Sequence, residues 1–496
     1  MILQKYIFLH SNKFLLMNKY IVFLLLVFSL VFVTYSCSDD LDDQNFSNPT
    51  QIKDFVWKAL NSYYLWQNDV AGLSDDKLLN GKAYVNYLEG FNSPEDLFEQ
   101  HLKRTDNTDR FSVIFKDYNE LEALLSGTNK TNGVEYGINR ISENSNEVFG
   151  WVRLILPNSD ASSKNISRGD VFYAINGTPL TVSNFRNLLA SDSYTLNMAN
   201  YSNGQITPNN VSVSLTKTPY TENPIYYTNI YQHNEKKIGY IIYNGFNRDY
   251  EDQLNLVFAN FIAQGVTHLA IDLRYNPGGS VSTSARLAAM INNTYQGQVF
   301  VKQQWNQKVI NFYNSQNNLE IFNTRFPATT NTGQTINSLN LQHIFFLTSK
   351  SSASASELLI HNLKQFINVT QIGDVTTGKN VGSILMYDSP NYSKNHSKLN
   401  PNHKYVLLPL VFKSADKLGN SNYANGIQPT ISYVEDIGNL GVLGEESDPL
   451  LHIALEHIRG RSVNLPKQTI FNETLSDTKN ILSLPGMIFD EFILLK

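Results

Sequence analysis

Residues 51–66, QIKDFVWKALNSYYLW, carry apolar side chains at helical spacing, with Phe55, Val56, Ala59, Leu60, Tyr63 and Tyr64 on one face of an amphipathic helix. A second helix is predicted at SPEDLFEQHLKR, where Ser93 caps, Pro94 opens the first turn and Glu95-Asp96 sit at the positive end of the dipole. Together they predict a helical N-terminal domain over 51–125, whose aromatics serve packing. From 130 to 218 the pattern shortens to β-rich runs, GVEYGINRI, EVFGWVRLI, DVFYAING and NVSVSLTK, with a tight turn at Asn176-Gly177. From 225 to 460 strands alternate with helices. KIGYIIYNGF, VTHLAIDLRYNPGG, QHIFFLTS and NVTQIGD read as strands, and YEDQLNLVFANFIAQG, SVSTSARLAAMINN and ASELLIHNLKQF as helices. That rhythm predicts a parallel-rich α/β layer structure within a multi-domain α/β chain. The Asn/Gln-rich stretch 292–340 reads as a β-rich insertion, and 461–496 shows no clear period and carries no assignable role.

The N-terminal pattern is different. Lys5, Lys13 and Lys19 precede an apolar run over 21–33 broken only by Ser29. It is shorter than the roughly 20 residues a bilayer span needs and matches the apolar core of a secretory signal, with Met17 as the start. The run ends at VTYSCSDDLDD, which resembles a bacterial lipobox at Cys37, the single cysteine of the chain. That resemblance implies a signal over 1–37, a diacylated Cys37 as membrane anchor, and a flexible tether over 38–50. The acidic run after it resembles the export tag of Bacteroidetes-type surface lipoproteins. The localisation implied is an extracytoplasmic outer-membrane lipoprotein with surface display; the plainer reading is a cleaved signal with an incidental cysteine. A lipidated Cys37 leaves no thiol for catalysis, disulfides or zinc. The 496 residues, 42% hydrophobic, suffice for two or three cored domains. A net charge of −5 without a basic stretch argues against nucleic acid as partner.

The chemistry concentrates at TSKSSASASELLIHNLKQF, residues 348–366. Ser354-x-x-Glu357 fits a capping box, in which serine and glutamate each satisfy a free amide at a helix start. Structure alone explains that motif. A helix N-terminus after a strand is also where an α/β fold exposes a nucleophile beside free amides. Twenty-five residues on, GDVTTGKNVGS places Lys379 at the end of the next strand unit, at the same sheet edge, as a serine–lysine dyad needs. His361 lies two turns down the helix from Ser354, too far to be its base, and His268 and His343 read as structural. A serine hydrolase with a remote histidine is the alternative within this chemistry.

ISRGDVFYAINGTPL (166–180) resembles the Gly-Asp-x-Ile-x-x-Ile-Asn-Gly stretch of PDZ domains. GVEYGI then falls where such a domain carries its carboxylate-binding loop, which implies peptide contacts at Glu135, Tyr136, Gly137 and Ile138 by strand addition. The helix between the two segments is shortened to NSDASSKNI. SASASE and the later Gly-Lys resemble the signature of the C-terminal processing peptidases, or tail-specific proteases, with Ser354 as nucleophile and Lys379 as base. IDLRYNPGG and ANGIQP match further family elements. The resemblance covers most of 235–430. It implies a Clp-protease/crotonase-like core and an oxyanion hole from Gly278 or Gly279 with Ala355.

Two positions depart from the family pattern: Gln365 stands where some members carry aspartate, and Ser383 where others carry glutamine. Both are candidate auxiliary groups for orienting Lys379. The implied reaction is peptide-bond hydrolysis on protein or peptide substrates, with no metal or organic cofactor required. It needs a lysine whose pKa burial lowers to about 7–8. The rival reading from another class is a surface peptide-binding scaffold with a weak or inactive peptidase domain. A carbohydrate-binding surface lipoprotein is a third, resting only on the anchor and the aromatic content.

Overall fold

The computed structural model describes residues 48–463, 474–481 and 487–488. The signal run, Cys37 and the tether up to residue 47 lie outside the described residues; residues 48–50, expected as the end of the tether, open the first helix instead. The N-terminal helices Asn48–Tyr63 and Gly81–Glu89 bury Phe55, Trp57, Leu60, Tyr63, Tyr84 and Leu88. Their core does not close on itself. It runs without a break into Leu287, Phe300, Trp305, Leu407 and Phe412, so the helical unit and the α/β unit share one hydrophobic interior. A small sheet joins them as well, Val113–Phe115 pairing with Val406–Leu408.

The β-rich domain is an antiparallel sheet. Val134–Arg140 pairs with Val148–Ile155, then come Val171–Ile175, Ser193–Ser202 and Gln205–Thr216. Its own core gathers Val134, Ile138, Val152, Phe172, Ile175, Leu189 and Leu196 around the single short helix Phe185–Ala190. Where the sequence reads NSDASSKNI, one 3-10 turn stands, Ala161–Ser163. The outer neighbour of Val134–Arg140 is the strand Thr474–Asp477, from the stretch whose pattern carried no role.

The α/β unit is built on a six-stranded sheet in the order Ile225–His233, Lys236–Tyr243, His268–Asp272, His343–Thr348, Asn368–Gly373, Ile431–Ser432. The first pair is antiparallel and the rest are parallel. Both faces are covered, which is why the central strands read as unbroken apolar runs. Ile344 and Phe346 face the helices Val281–Ile291 and Ala355–Leu363, whereas Phe345 and Leu347 face the helix Pro449–Arg459. Residues 292–340 hold more than strands. Val299–Trp305 and Asn323–Arg325 flank the helix Gln307–Ser315, and Val299–Trp305 pairs with Leu410–Ala415 in a second sheet.

Candidate active site

Three parallel strands end side by side and release three loops at one edge, the position where open α/β sheets place their sites. The first loop, 273–279, is fixed from below by charge. The fully buried Arg274 donates from Nε to both Asp272 oxygens at 3.0 and 2.9 Å and from Nη1 to Glu435 and Asp448 at 3.0 and 3.1 Å. Arg168 and Arg274 hold the Glu435 carboxyl down at about 2, against the burial that would raise it. Asn276 then anchors the turn, its Nδ2 donating to Tyr243 O at 2.8 Å and its Oδ1 accepting from Gly278 N at 2.8 Å.

The serine-rich second loop packs on the first, and its hydroxyls divide the labour. Ser349 Oγ donates to Arg274 O, Ser352 Oγ to Leu273 O at 2.7 Å, and Ser356 Oγ to Asn276 O at 3.1 Å. Ser351 Oγ donates to Asp477 Oδ2 at 2.7 Å. Only Ser354 Oγ, in this run, has no hydrogen-bond partner among the described residues, although the residue is fully buried. Its backbone is at φ 62°, ψ −112°, a left-handed-side conformation that costs a non-glycine residue of order 1–3 kcal/mol and clusters at functional sites. The glycine turn presses on this elbow. A Cβ at Gly278, whose φ is 109°, would lie 2.7 Å from Ser354 Cβ and 2.9 Å from Ala355 N.

Glu357 ties the second loop to the third. Fully buried, it accepts from Ser354 N at 2.7 Å, Gly378 N at 2.7 Å, Lys379 N at 2.8 Å and Thr376 Oγ1. Ser354 N and Lys379 N share the same oxygen, Oε2, so the two nitrogens are at most 5.5 Å apart (2.7 + 2.8 Å). The glutamate of the expected capping box therefore does more than cap, and the serine makes no side-chain cap bond. Burial raises the Glu357 carboxyl above its ordinary range, opposed by its four donors.

Lys379 is 2% exposed and its Nζ has no hydrogen-bond partner among the described residues. Burial lowers its pKa to about 7; Glu357 and Asp109 oppose the shift and Arg110 assists it. Nζ lies 4.6 Å from the centre of the Phe111 ring, and Arg110 Nη2 donates to Gly378 O at 2.8 Å. The lysine is thus walled by the last residues of the N-terminal helical unit, a contact the sequence reading missed because nothing in the local pattern of DRFS marks it.

The two candidate auxiliary groups part company here. Ser383 is fully buried, and its Oγ has no partner among the described residues. Gln365 turns its amide to Asp416, Nε2 to Oδ2 at 2.9 Å, and is engaged there. The Gly278 amide is spent on Asn276 and Gly279 is paired with Met487, so Ala355 N, at the first helical position, is the candidate oxyanion donor here, with Gly279 N a second once that pairing opens. His361 meets Asn420 O at 3.2 Å, His343 meets Thr370 Oγ1 at 2.8 Å and His268 meets Thr267 Oγ1 at 2.9 Å. Glu135, Tyr136, Gly137 and Ile138 border the chain's own strand Thr474–Asp477 and the start of the helix Thr478–Ile481 that follows it.

Residues 237–394, which span the glycine turn, Ser354, Lys379 and Ser383, match the family described as peptidase family S41, and residues 51–113 match its N-terminal domain. The matched stretch is similar to an S41 peptidase domain. Phe111, which walls Lys379, falls within the N-terminal match. A putative S41 protease from Bacteroides fragilis has the same fold, with a TM-score of 0.62 and 22% identity over 82% of this chain and 97% of that one. The photosystem II D1 C-terminal processing protease superposes with a TM-score of 0.45 and 17% identity over 81% of this chain and 99% of that one. No curated protein matches the chain.

Proposed function

We propose that this S41 peptidase is a serine endopeptidase working by a Ser354–Lys379 dyad on extracytoplasmic proteins or peptides, which it engages through their C-terminal tails. One observation carries the reading. Of the serines in 349–356, Ser354 alone keeps its hydroxyl unpaired among the described residues, at a strained elbow, one shared carboxylate oxygen away from a lysine whose pKa burial lowers to about 7. Buried polar atoms without partners are rare and costly, so a hydroxyl and an amine of this kind, on residues whose backbones hang from one carboxylate oxygen, call for a chemical use.

The amine and hydroxyl are not bonded to each other in this structure, and the reaction requires Lys379 Nζ to come within hydrogen-bond reach of Oγ. Neutral Nζ takes the Oγ proton as Oγ bonds to the scissile carbonyl carbon. The oxyanion forms against Ala355 N and Gly279 N. Ammonium Nζ then returns the proton to the leaving amine as the C–N bond breaks. A water, deprotonated by Nζ, cleaves the ester and restores Ser354. Anchoring at Cys37 on the outer membrane belongs to the same proposal, supported by the signal run and the position of the lone cysteine.

The test is covalent labelling by a fluorophosphonate. Mass spectrometry should place the label on Ser354, and labelling should vanish in Ser354→Ala. Label on another serine, or none at any pH between 6 and 10, would dismiss Ser354 as the nucleophile.

A further inference from the structure

The stretch after residue 460 supplies strands to two different sheets. Thr474–Asp477 adds antiparallel to Val134–Arg140 at the edge of the β-rich domain, with Ser476 opposite Ile138 and Asp477 opposite Gly137. Met487–Ile488 lies parallel to Gly279–Ser280, and Ile488 also pairs with Ser383. The second strand therefore lies between the glycine turn and the segment that follows Lys379.

The first strand is held by charge as well as by backbone. Asp477 is 2% exposed and bonds Arg153 Nη1 at 2.9 Å and Ser351 Oγ at 2.7 Å, while Arg153 Nη1 also reaches Ser351 Oγ at 3.0 Å. Arg153 is itself 6% exposed. A cavity of about 190 Å³ borders Arg153, Trp151, Ser351, Asp374 and Asp477. One residue on, Thr478 Oγ1 accepts from Tyr136 N at 3.1 Å and donates to Glu135 Oε2 at 2.5 Å. Lys479 bonds Glu222 and lies 3.8 Å from Glu135. Backbone pairing supplies affinity in such strand addition, and side-chain pockets supply selection. Here the pockets read a carboxylate and, two residues later, an ammonium. Ser351 belongs to the serine run three residues before Ser354, so the carboxylate pocket abuts the site.

We propose that the strands Thr474–Asp477 and Met487–Ile488 act as a peptide ligand bound in cis, filling the strand-accepting edge and the strand position beside Gly279, and that a substrate enters after they are displaced. The ligand class that replaces it in trans is a peptide extended as far as an acidic residue in the Asp477 register, with a basic residue two positions on in the helical turn that follows, as Lys479 stands in the helix Thr478–Ile481. A site that is mostly self-occupied shows an affinity reduced by its free fraction. The proposal rests on the peptidase reading above for the word substrate, and on the edge geometry alone for the word ligand.

The test uses the full chain with Ser354→Ala and a fluorescein-labelled peptide of the sequence 472–481, NETLSDTKNI, read by anisotropy. Asp477→Ala and, separately, Lys479→Ala should each tighten binding of the peptide at least tenfold. Lys479→Ala keeps the buried Arg153 paired, so it guards against a folding failure of the other variant. A peptide with alanine in the Asp477 register should bind no better than a scrambled control. On the Ser354 background the same two substitutions should raise hydrolysis of an unfolded reporter at least fivefold. Tighter peptide binding without hydrolysis in any variant upholds the cis ligand and overturns the peptidase reading. Peptide affinity unchanged in both variants overturns the cis ligand, whatever the hydrolysis rate.

Discussion

Removing the Phe111 ring tests how the amine of Lys379 is made neutral. A solvated lysine with a pKa of about 10.4 is neutral roughly once in 2,500 molecules at pH 7. At about 7 the site makes it neutral half the time, a differential of about 4.6 kcal/mol at 1.36 per pKa unit. The ring acts in two opposed ways. Its face attracts the ammonium by about 0.5–2 kcal/mol, which raises the pKa, and its bulk excludes water, which lowers it. Burial is the largest cause of the shift, so water exclusion wins. If Phe111→Ala admits water enough to cancel about half of the shift, the pKa rises by about 1.7 units; losing the ring's attraction trims this toward about 1 unit. The neutral fraction at pH 7 then falls about five- to twenty-five-fold. The assay is the pH profile of kcat/KM from pH 6 to 10.5 on an unfolded reporter. The ascending limb should move up by about 1 unit or more, with the rate near pH 10 retained. An unmoved limb with a uniformly reduced rate would refute the wall and leave Phe111 as packing.

Other outcomes follow from the same contacts. Glu357→Gln places an NH₂ where N–H donors converge, and bonds to a charged acceptor are worth about 1.5–3 kcal/mol each, so unfolding by urea should show a loss of roughly 3 kcal/mol or more. Fluorophosphonate labelling of that variant should fall too, because the elbow and the lysine loop lose their common anchor. Gly278→Ala brings a Cβ to within 2.7 Å of Ser354 Cβ; kcat/KM should drop by about 100-fold or more. Lys379→Met should be more stable than the native chain below pH 7, by up to roughly 4–5 kcal/mol. The sign follows from the lowered folded pKa: the unfolded chain binds the extra proton between about pH 7 and 10.4, so the native penalty is full below 7 and fades as pH rises through that window. A stability gap that stayed constant with pH in urea titrations would contradict it.

The sequence exposed the central strands and the serine–lysine spacing because both are local patterns. Strands buried on both faces must be apolar throughout, and IDLRYNPGG, SASASE and the later Gly-Lys each sit at the end of one. What stayed hidden depends on contacts between distant segments. Glu357 looks like a helix cap from its spacing, and only the fold brings Gly378 and Lys379 onto the same carboxylate. Phe111 reaches Lys379 across 268 positions of chain (379 − 111). Thr474–Asp477 has too few residues for a readable alternation, and its partner strand lies more than 330 residues earlier. The helical unit reads as a domain of its own, whereas its core is continuous with the sheet, since both are simply apolar at their meeting face.

The most direct measurement is degradation of an unfolded reporter with an apolar C-terminus, across pH 6 to 10, by the native chain, Ser354→Ala and Lys379→Ala. Cleavage should be abolished in both variants and, in the native chain, rise with an apparent pKa near 7. Cleavage that persists in Lys379→Ala, or that rises only above about pH 10, would contradict the dyad.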